Sequence, residues 1–355
     1  MTLSAPPPEV ADAEAPWRPT DATTRARRRR ALGAVVLAVA LVAVTVASLA
    51  VGTQSVGVTT VWRALVDHTG TGDQWIVTDL RVPRTLLGLV VGVALGLCGA
   101  VIQGLTRNPL ADTQILGVNS GAGLFVVSAV AFGGVRSVTG YIWFAFAGAL
   151  VAMVVVHFVG MSGRSAATPV RLLLAGVAIG AVLDGVGYVV RLRNPRAFDS
   201  MRFWDAGALD GRDLEVVATI TPFVIVGAAL CVWVGRSLNA VALGDDLAAA
   251  MGQDVGRTRL VGLVAVTLLA GSAVAAAGPI GFVGLMVPHA VRWFTGPDWR
   301  WICGYSALAA PVLLLAADVV GRVVIAPAEL PAGIVTAFLG APVLIWLIRR
   351  VGTAR

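Results

Sequence analysis

The stretch that decides the fold is R-V-P-R-T-L-L-G-L-V-V-G-V-A-L-G-L-C-G-A-V-I-Q-G-L-T-R-N-P-L-A-D-T-Q-I-L-G-V-N-S-G-A-G, residues 81–123. Behind two arginines, Arg81 and Arg84, an apolar helix is expected to run to about Leu105. Gly88, Gly92, Gly96, Ala100 and Gly104 recur every four residues, so one face of that helix has almost no side chains. In lipid such a ridge lets another helix back close against it. Asn108-Pro109 ends the helix, because proline removes a backbone donor and disfavours helix at the residue before it. A second glycine-rich apolar segment begins near Ile115. The stretch reads as two membrane spans joined by a tight turn.

Composition agrees with a lipid solvent. Hydrophobic residues make up 57% of the 355, charged residues 13%, and the mean hydropathy is +0.84, far from a water-soluble domain of this length. The net charge of +7 comes from arginines scattered between apolar runs rather than gathered with aromatics on one surface, which argues against nucleic-acid binding. Lysine is absent. A Walker A phosphate loop needs that lysine, so any ATP that drives this chain is bound by a separate protein. Cys98, Cys231 and Cys303 lie far apart in apolar runs, and His68, His157 and His289 form no metal-ligand spacing. No metal site, cofactor or catalytic constellation is expected, and the chain is read as no enzyme.

Outward from the opening stretch, apolar runs give an all-α, polytopic membrane protein of about ten transmembrane helices. The expected spans are 31–51, 85–105, 114–133, 141–160, 171–190, 215–235, 260–277, 279–294, 303–325 and 331–348. The eighth is short and holds Pro288, so it is either a full helix or a broken one. Residues 1–30 read as a disordered cytoplasmic tail ending in R-A-R-R-R-R, 31–350 as the transmembrane domain, and 351–355 as a second cytoplasmic tail. With both termini inside, the cytoplasmic segments hold 17 of the 27 arginines, in line with the positive-inside rule. Five outside arginines fall in one loop, 191–212, and need partners.

Spans 2–5 and 7–10 read as an inverted repeat: one breaks at Asn108-Pro109 and the other at Gly278-Pro279, each followed by a glycine-rich segment. Between spans 6 and 7, region 237–259 is polar. Asp245 is expected to cap a short amphipathic helix carrying Leu247, Ala248 and Met251, with Gly252 ending it. That helix either lies on the membrane surface or docks on a partner.

Several long motifs carry a family resemblance. R-V-P-R, G-A-V-I-Q-G-L-T-R-N-P-L-A-D, L-G-V-N-S-G-A-G, L-L-L-A-G-V-A-I-G (172–180), G-P-I-G-F-V-G-L-M-V-P-H-A-V-R (278–292) and E-L-P-A-G-I-V-T-A-F-L-G-A-P-V-L-I-W-L (329–347) resemble the permease subunits of ABC importers for ferric siderophores, haem and cobalamin. The resemblance implies alternating access and several partners: two ATPase subunits, a second permease subunit (the same chain or a related one), an extracytoplasmic binding protein and surrounding lipid. It implies that Leu243, Gly244, Asp245, Asp246, Leu247, Ala248, Met251 and Gly252 couple to the ATPase. It also implies that Arg81, Arg84 and Arg322 meet glutamates of the binding protein. For Arg322 the alternative is Asp318, four residues before it; for Arg81 and Arg84 it is an interfacial anchor. Asn108 and Leu110 match one half of an inner gate. The other half departs from the family pattern, since only Thr168 in Thr168-Pro169-Val170 keeps a hydroxyl.

Asn119, Ser120 and Asp184 are polar within apolar spans and either line a pathway or bond neighbouring helices. Asp184 matches no acid of the family pattern. Two readings compete: a pair with Arg191, two turns on, or a place on the central cavity facing the cargo. The favoured function is permeation of a ferric siderophore across the plasma membrane. The alternatives are cobalamin or haem, and, in another class, a secondary transporter driven by an ion gradient.

Overall fold

The computed structural model describes residues 21–67, 72–112, 114, 117–135, 137–161 and 169–352. In chain order its helices are α1 (Asp21–Ala50), α2 (Val58–Val66), α3 (Gly72–Trp75), a π-helical turn (Ile76–Arg81) leading into α4 (Val82–Thr106), α5 (Val118–Gly133), α6 (Val138–Met161), α7 (Pro169–Arg193), α8 (Pro195–Trp204), α9 (Leu214–Val241), α10 (Asp245–Ala250), α11 (Val255–Ala277), α12 (Val283–Thr295), α13 (Trp299–Val324) and α14 (Ala332–Gly352). No strand occurs among the described residues. Among the described residues seven helices are long and apolar enough to cross a membrane: α1, α4 with its leading turn, α6, α7, α9, α11 and α13. α5 and α14 are shorter apolar helices.

Each of the ten expected apolar segments holds a helix, but several limits differ from expectation, α9, α11 and α13 being longer than the apolar runs, and three differences matter most. α12 has 13 residues. At 1.5 Å per residue that is about 20 Å, short of the roughly 30 Å hydrocarbon core. α5 starts only at Val118, because Gly117 adopts a left-handed conformation in front of it. α1 begins ten residues before the expected span, so the basic run rides on the helix instead of in a tail. Arginine and alanine favour helix, and the run is also tied down. Arg29 donates to the Trp293 carbonyl at 2.9 Å and Arg30 to that of Thr295 at 3.1 Å, placing cations on the C-terminal carbonyls of α12.

α4 is the central helix, almost wholly buried. The expected small-residue ridge lies against α13. A methyl group at Gly92 would stand 2.5 Å from the Pro311 Cα, and one at Gly88 the same distance from Leu315 Cδ2. Gly99 lies off that ridge and takes the backbone of α12 at Gly284. Both contacts require hydrogen in place of a side chain. Gly92→Val is therefore expected to force α13 away, at a cost of at least the ~1–3 kcal/mol of an overpacked core. A lower unfolding temperature in detergent checks it.

The short helices α2, α3 and α8 were not expected, since they fall between the long apolar runs. α8 follows a clear local signal: Asn194 caps it, accepting from the Ala197 amide at 3.1 Å, and Pro195 takes the first helical position.

Candidate translocation and coupling sites

α4 spans about 37 Å, and polar clusters sit at both of its ends. At its N-terminal end, Arg84 and Arg322 meet on Asp318, and Arg81 stands beside them on main-chain carbonyls. Arg84 donates to Asp318 at 2.7 Å and to Glu329 at 2.6 Å. Arg322, four residues after Asp318 on α13, bonds the same carboxylate, the Ser48 carbonyl (2.7 Å) and the Ser48 hydroxyl (3.1 Å). Ser48 in turn shares a 2.8 Å bond with Thr85. Arg81 donates to the Leu49 carbonyl at 2.8 Å and to that of Gln54. Asp318 is fully buried and Arg322 is 2% exposed.

The arginines thus fasten α1, α4 and α13 together, and the intramolecular Asp318–Arg322 pair is present. Two cations on one carboxylate, with main-chain carbonyls taking other N–H groups, satisfy a buried charge cluster. A cavity of about 270 Å³ opens beside them, lined by Gln54, Arg81, Arg84, Arg322 and Glu329.

At the other end of α4, Arg107 is left-handed (φ 52°) and begins the Asn108-Pro109 turn. Asn108 Oδ1 accepts from the Leu110 amide at 2.9 Å, closing a tight local turn. Leu110 packs with Leu285, Met286 and Leu344. Two residues on, Asp112 accepts from the Phe282 amide at 3.2 Å. The break after α4 therefore touches the break before α12, where Phe282 is left-handed (φ 68°). Beside this junction lies a cavity of about 690 Å³, lined by Gln114, Asp205, Pro279, Phe282, Gly333 and Phe338 among others. Gln114 and Asp205 supply its polar groups; neither was singled out from sequence.

Ser120 and Asp184 meet across α5 and α7: the Ser120 hydroxyl donates to Asp184 at 2.9 Å. Asp184 is exposed and Asn119 and Ser120 are half-buried. The pair expected between Asp184 and Arg191 is not formed. Arg191 bonds Asp205, which α8 folds back against it. Burial lifts the Asp205 carboxyl above its ordinary range; Arg191 opposes that shift and nearby Asp184 adds to it. A second arginine of the 191–212 loop, Arg212, donates to the Ala276 carbonyl at 2.8 Å. Thr168 lies outside the described residues.

α10 differs from expectation at its start. Gly244 (φ 121°), not Asp245, is the capping residue, and no side chain caps the helix. Asp245 is the first helical residue, and its carboxylate is held from two sides by Arg107 and Arg259. Ala248 is buried against Ala240, Val241 and Val255. On the opposite side Leu243, Leu247 and Met251, four residues apart, are 50–61% exposed, and Asp246 is exposed beside them. Gly252, left-handed at φ 79°, turns the chain out of the helix as expected.

Among the described residues no three metal-ligating side chains gather. Long apolar helices, with interrupted segments meeting beside a cavity, define a polytopic helical membrane fold. A family model described as the FecCD transport family matches residues 40–350. The ferric enterobactin transport system permease protein FepD of Escherichia coli (strain K12) is 47% identical over 321 residues, covering 90% of this chain and 96% of that protein. The cobalamin import system permease protein BtuC of Halobacterium salinarum is 40% identical over 277 residues, covering 78% and 74%. A solved inward-facing conformation of a metal-chelate type ABC transporter superposes with a TM-score of 0.79 at 25% identity, covering 90% of this chain and 99% of that one. The chain belongs to the FecCD transport family, and its role is that of a permease subunit.

Proposed function

We propose that this permease moves a ferric siderophore inward by alternating access, driven by two ATPase subunits that dock on α10. The observation that carries the ATP-driven reading is the exposed apolar group Leu243, Leu247 and Met251, one on α10 and one at each of its ends, while α10 packs inward through Ala248. Apolar surface of this kind at one end of a membrane protein suits a groove on a soluble partner. The absence of lysine requires that partner to bring the nucleotide site. One chain offers one α10, so an ATPase pair calls for a second permease, of this chain or a related one.

The α10 end is taken as cytoplasmic, with both termini inside and ten membrane segments forming an inverted repeat of spans 2–5 and 7–10. The Asp112–Phe282 contact between the two breaks supports that repeat. The binding protein docks at the opposite end, around the cleft lined by Arg81, Arg84, Arg322 and Glu329. The pathway runs past Asn119, Ser120 and Asp184 to an inner gate at Asn108 and Leu110, with Thr168 matching its other half by family pattern alone. A ferric siderophore is favoured as cargo by the 47% identity to an enterobactin permease, against 40% to a cobalamin one.

Cells lacking their own ferric-siderophore permease test this directly. Supplied with the chain, its ATPase and its binding protein, they should grow on a ferric siderophore as sole iron source. Growth that depends on the chain only with cobalamin or haem would reassign the cargo. Asp184→Asn should slow iron uptake while leaving the amount of folded protein unchanged, because among the described residues the exposed carboxylate has a hydroxyl donor and no ion pair. Lost stability with normal transport per molecule would make it a structural residue.

A further inference from the structure

We infer that Arg107 is the mechanical link between the ATPase-docking helix and the inner gate, with Asp245 as its handle. The inference rests on the proposed docking at α10. Asp245 is the first residue of that helix, and each of its carboxylate oxygens takes a different arginine. Oδ1 accepts from Arg107 and Oδ2 from Arg259 at 2.7 Å. The two arginines lead to different places. Arg259 stands in the first turn of α11, the helix that follows α10 in the chain. Arg107 comes from 138 residues earlier and is the last residue before the Asn108-Pro109-Leu110 turn.

Arg107 is anchored twice at this point. Besides Asp245 it donates from Nε to the Val241 carbonyl, 2.7 Å away at the end of α9. Its own backbone is left-handed, a conformation unfavourable for a residue with a side chain. A side chain held at Nε by Val241 and at its tip by Asp245 has little slack in which to absorb a displacement of α10. When α10 is pushed, the α4 C-terminus must follow or the ion pair must break. Leu110, three residues on, packs against the cluster of Leu285 and Met286 on α12, so the same movement repacks the gate turn. Charge-assisted bonds of this kind are stronger than neutral ones and hold only over a short range, which suits a coupling element.

The test uses the full complex of permease, ATPase and binding protein in nanodiscs. A cysteine at Leu110→Cys reports the gate turn through its labelling rate with a membrane-impermeant maleimide, with and without ATP and vanadate. In the otherwise unchanged chain, nucleotide is expected to alter that rate. Arg107→Gln should abolish the alteration while the ATPase still co-purifies and hydrolyses, and uptake per ATP should fall by about tenfold. Arg107→Lys should restore part of it. Arg259→Gln should leave the nucleotide effect in place, since Arg259 does not lead to the gate. Should Arg107→Gln fail to fold, Asp245→Asn gives the same reading. The link is overturned if Arg107→Gln, or Asp245→Asn in its place, keeps the nucleotide-dependent labelling, or if Arg259→Gln removes it equally. Failure of the docking reading looks different: Leu247→Asp would then retain the ATPase as well as the unchanged chain does.

Discussion

Asp318→Ala should cost the folded permease on the order of 3–5 kcal/mol, because it leaves two arginines buried with no carboxylate between them. Arg322 is 2% exposed and would lose its carboxylate partner, whereas Arg84, 11% exposed, would keep Glu329. Thermal unfolding in detergent should show the loss, together with loosening of α1, whose Ser48 carbonyl is held by Arg322. Arg84→Gln should cost less, since Asp318 then keeps Arg322. The alternative is that these arginines serve chiefly to meet glutamates of a binding protein. On that view Asp318→Ala would free them for docking and leave stability almost unchanged. Measuring unfolding and binding-protein affinity on the same variant separates the two.

The second large effect is expected at α10. Leu247→Asp combined with Met251→Asp replaces two exposed apolar side chains by charges where a partner's groove is expected. Removing a central interface residue typically costs roughly 2–4 kcal/mol, or about 30- to 700-fold in affinity. The ATPase should no longer co-purify, and uptake should fall to background. The permease itself should unfold at the unchanged temperature, because neither side chain packs inside the fold. Surface-lying α10 predicts the opposite: ATPase retained, and weaker partition of this segment into lipid.

How far the sequence exposed this architecture varied with the range of the interaction. The glycine ridge on α4 was legible because its period is local, every four residues along one helix. Its partner was not: Pro311 lies some two hundred residues away, and nothing in the ridge selects α13 over any other apolar helix. The Asp318–Arg322 pair was readable from spacing four on a helix, whereas Arg84 reaches the same carboxylate across 234 residues. Asp184 and Arg191 share a helix face by spacing, yet α8 brings Asp205 to Arg191 and α5 brings Ser120 to Asp184. That short helix carries no apolar run long enough to count as a span, so its contribution to the cavity was invisible. Asp245 had the right chemistry for a cap, but Gly244 at φ 121° already takes the capping position. The carboxylate was then free to bind two arginines from elsewhere.

The central claim is that ATP, hydrolysed by a partner seated on α10, drives a ferric siderophore through this chain. Proteoliposomes containing the permease and its ATPase, with binding protein and radiolabelled ferric siderophore outside, test it most directly. Uptake should require ATP on the ATPase side, stop with Leu247→Asp/Met251→Asp, and be unaffected by collapsing proton and sodium gradients. Uptake that continues without ATP and follows an imposed ion gradient would contradict the account.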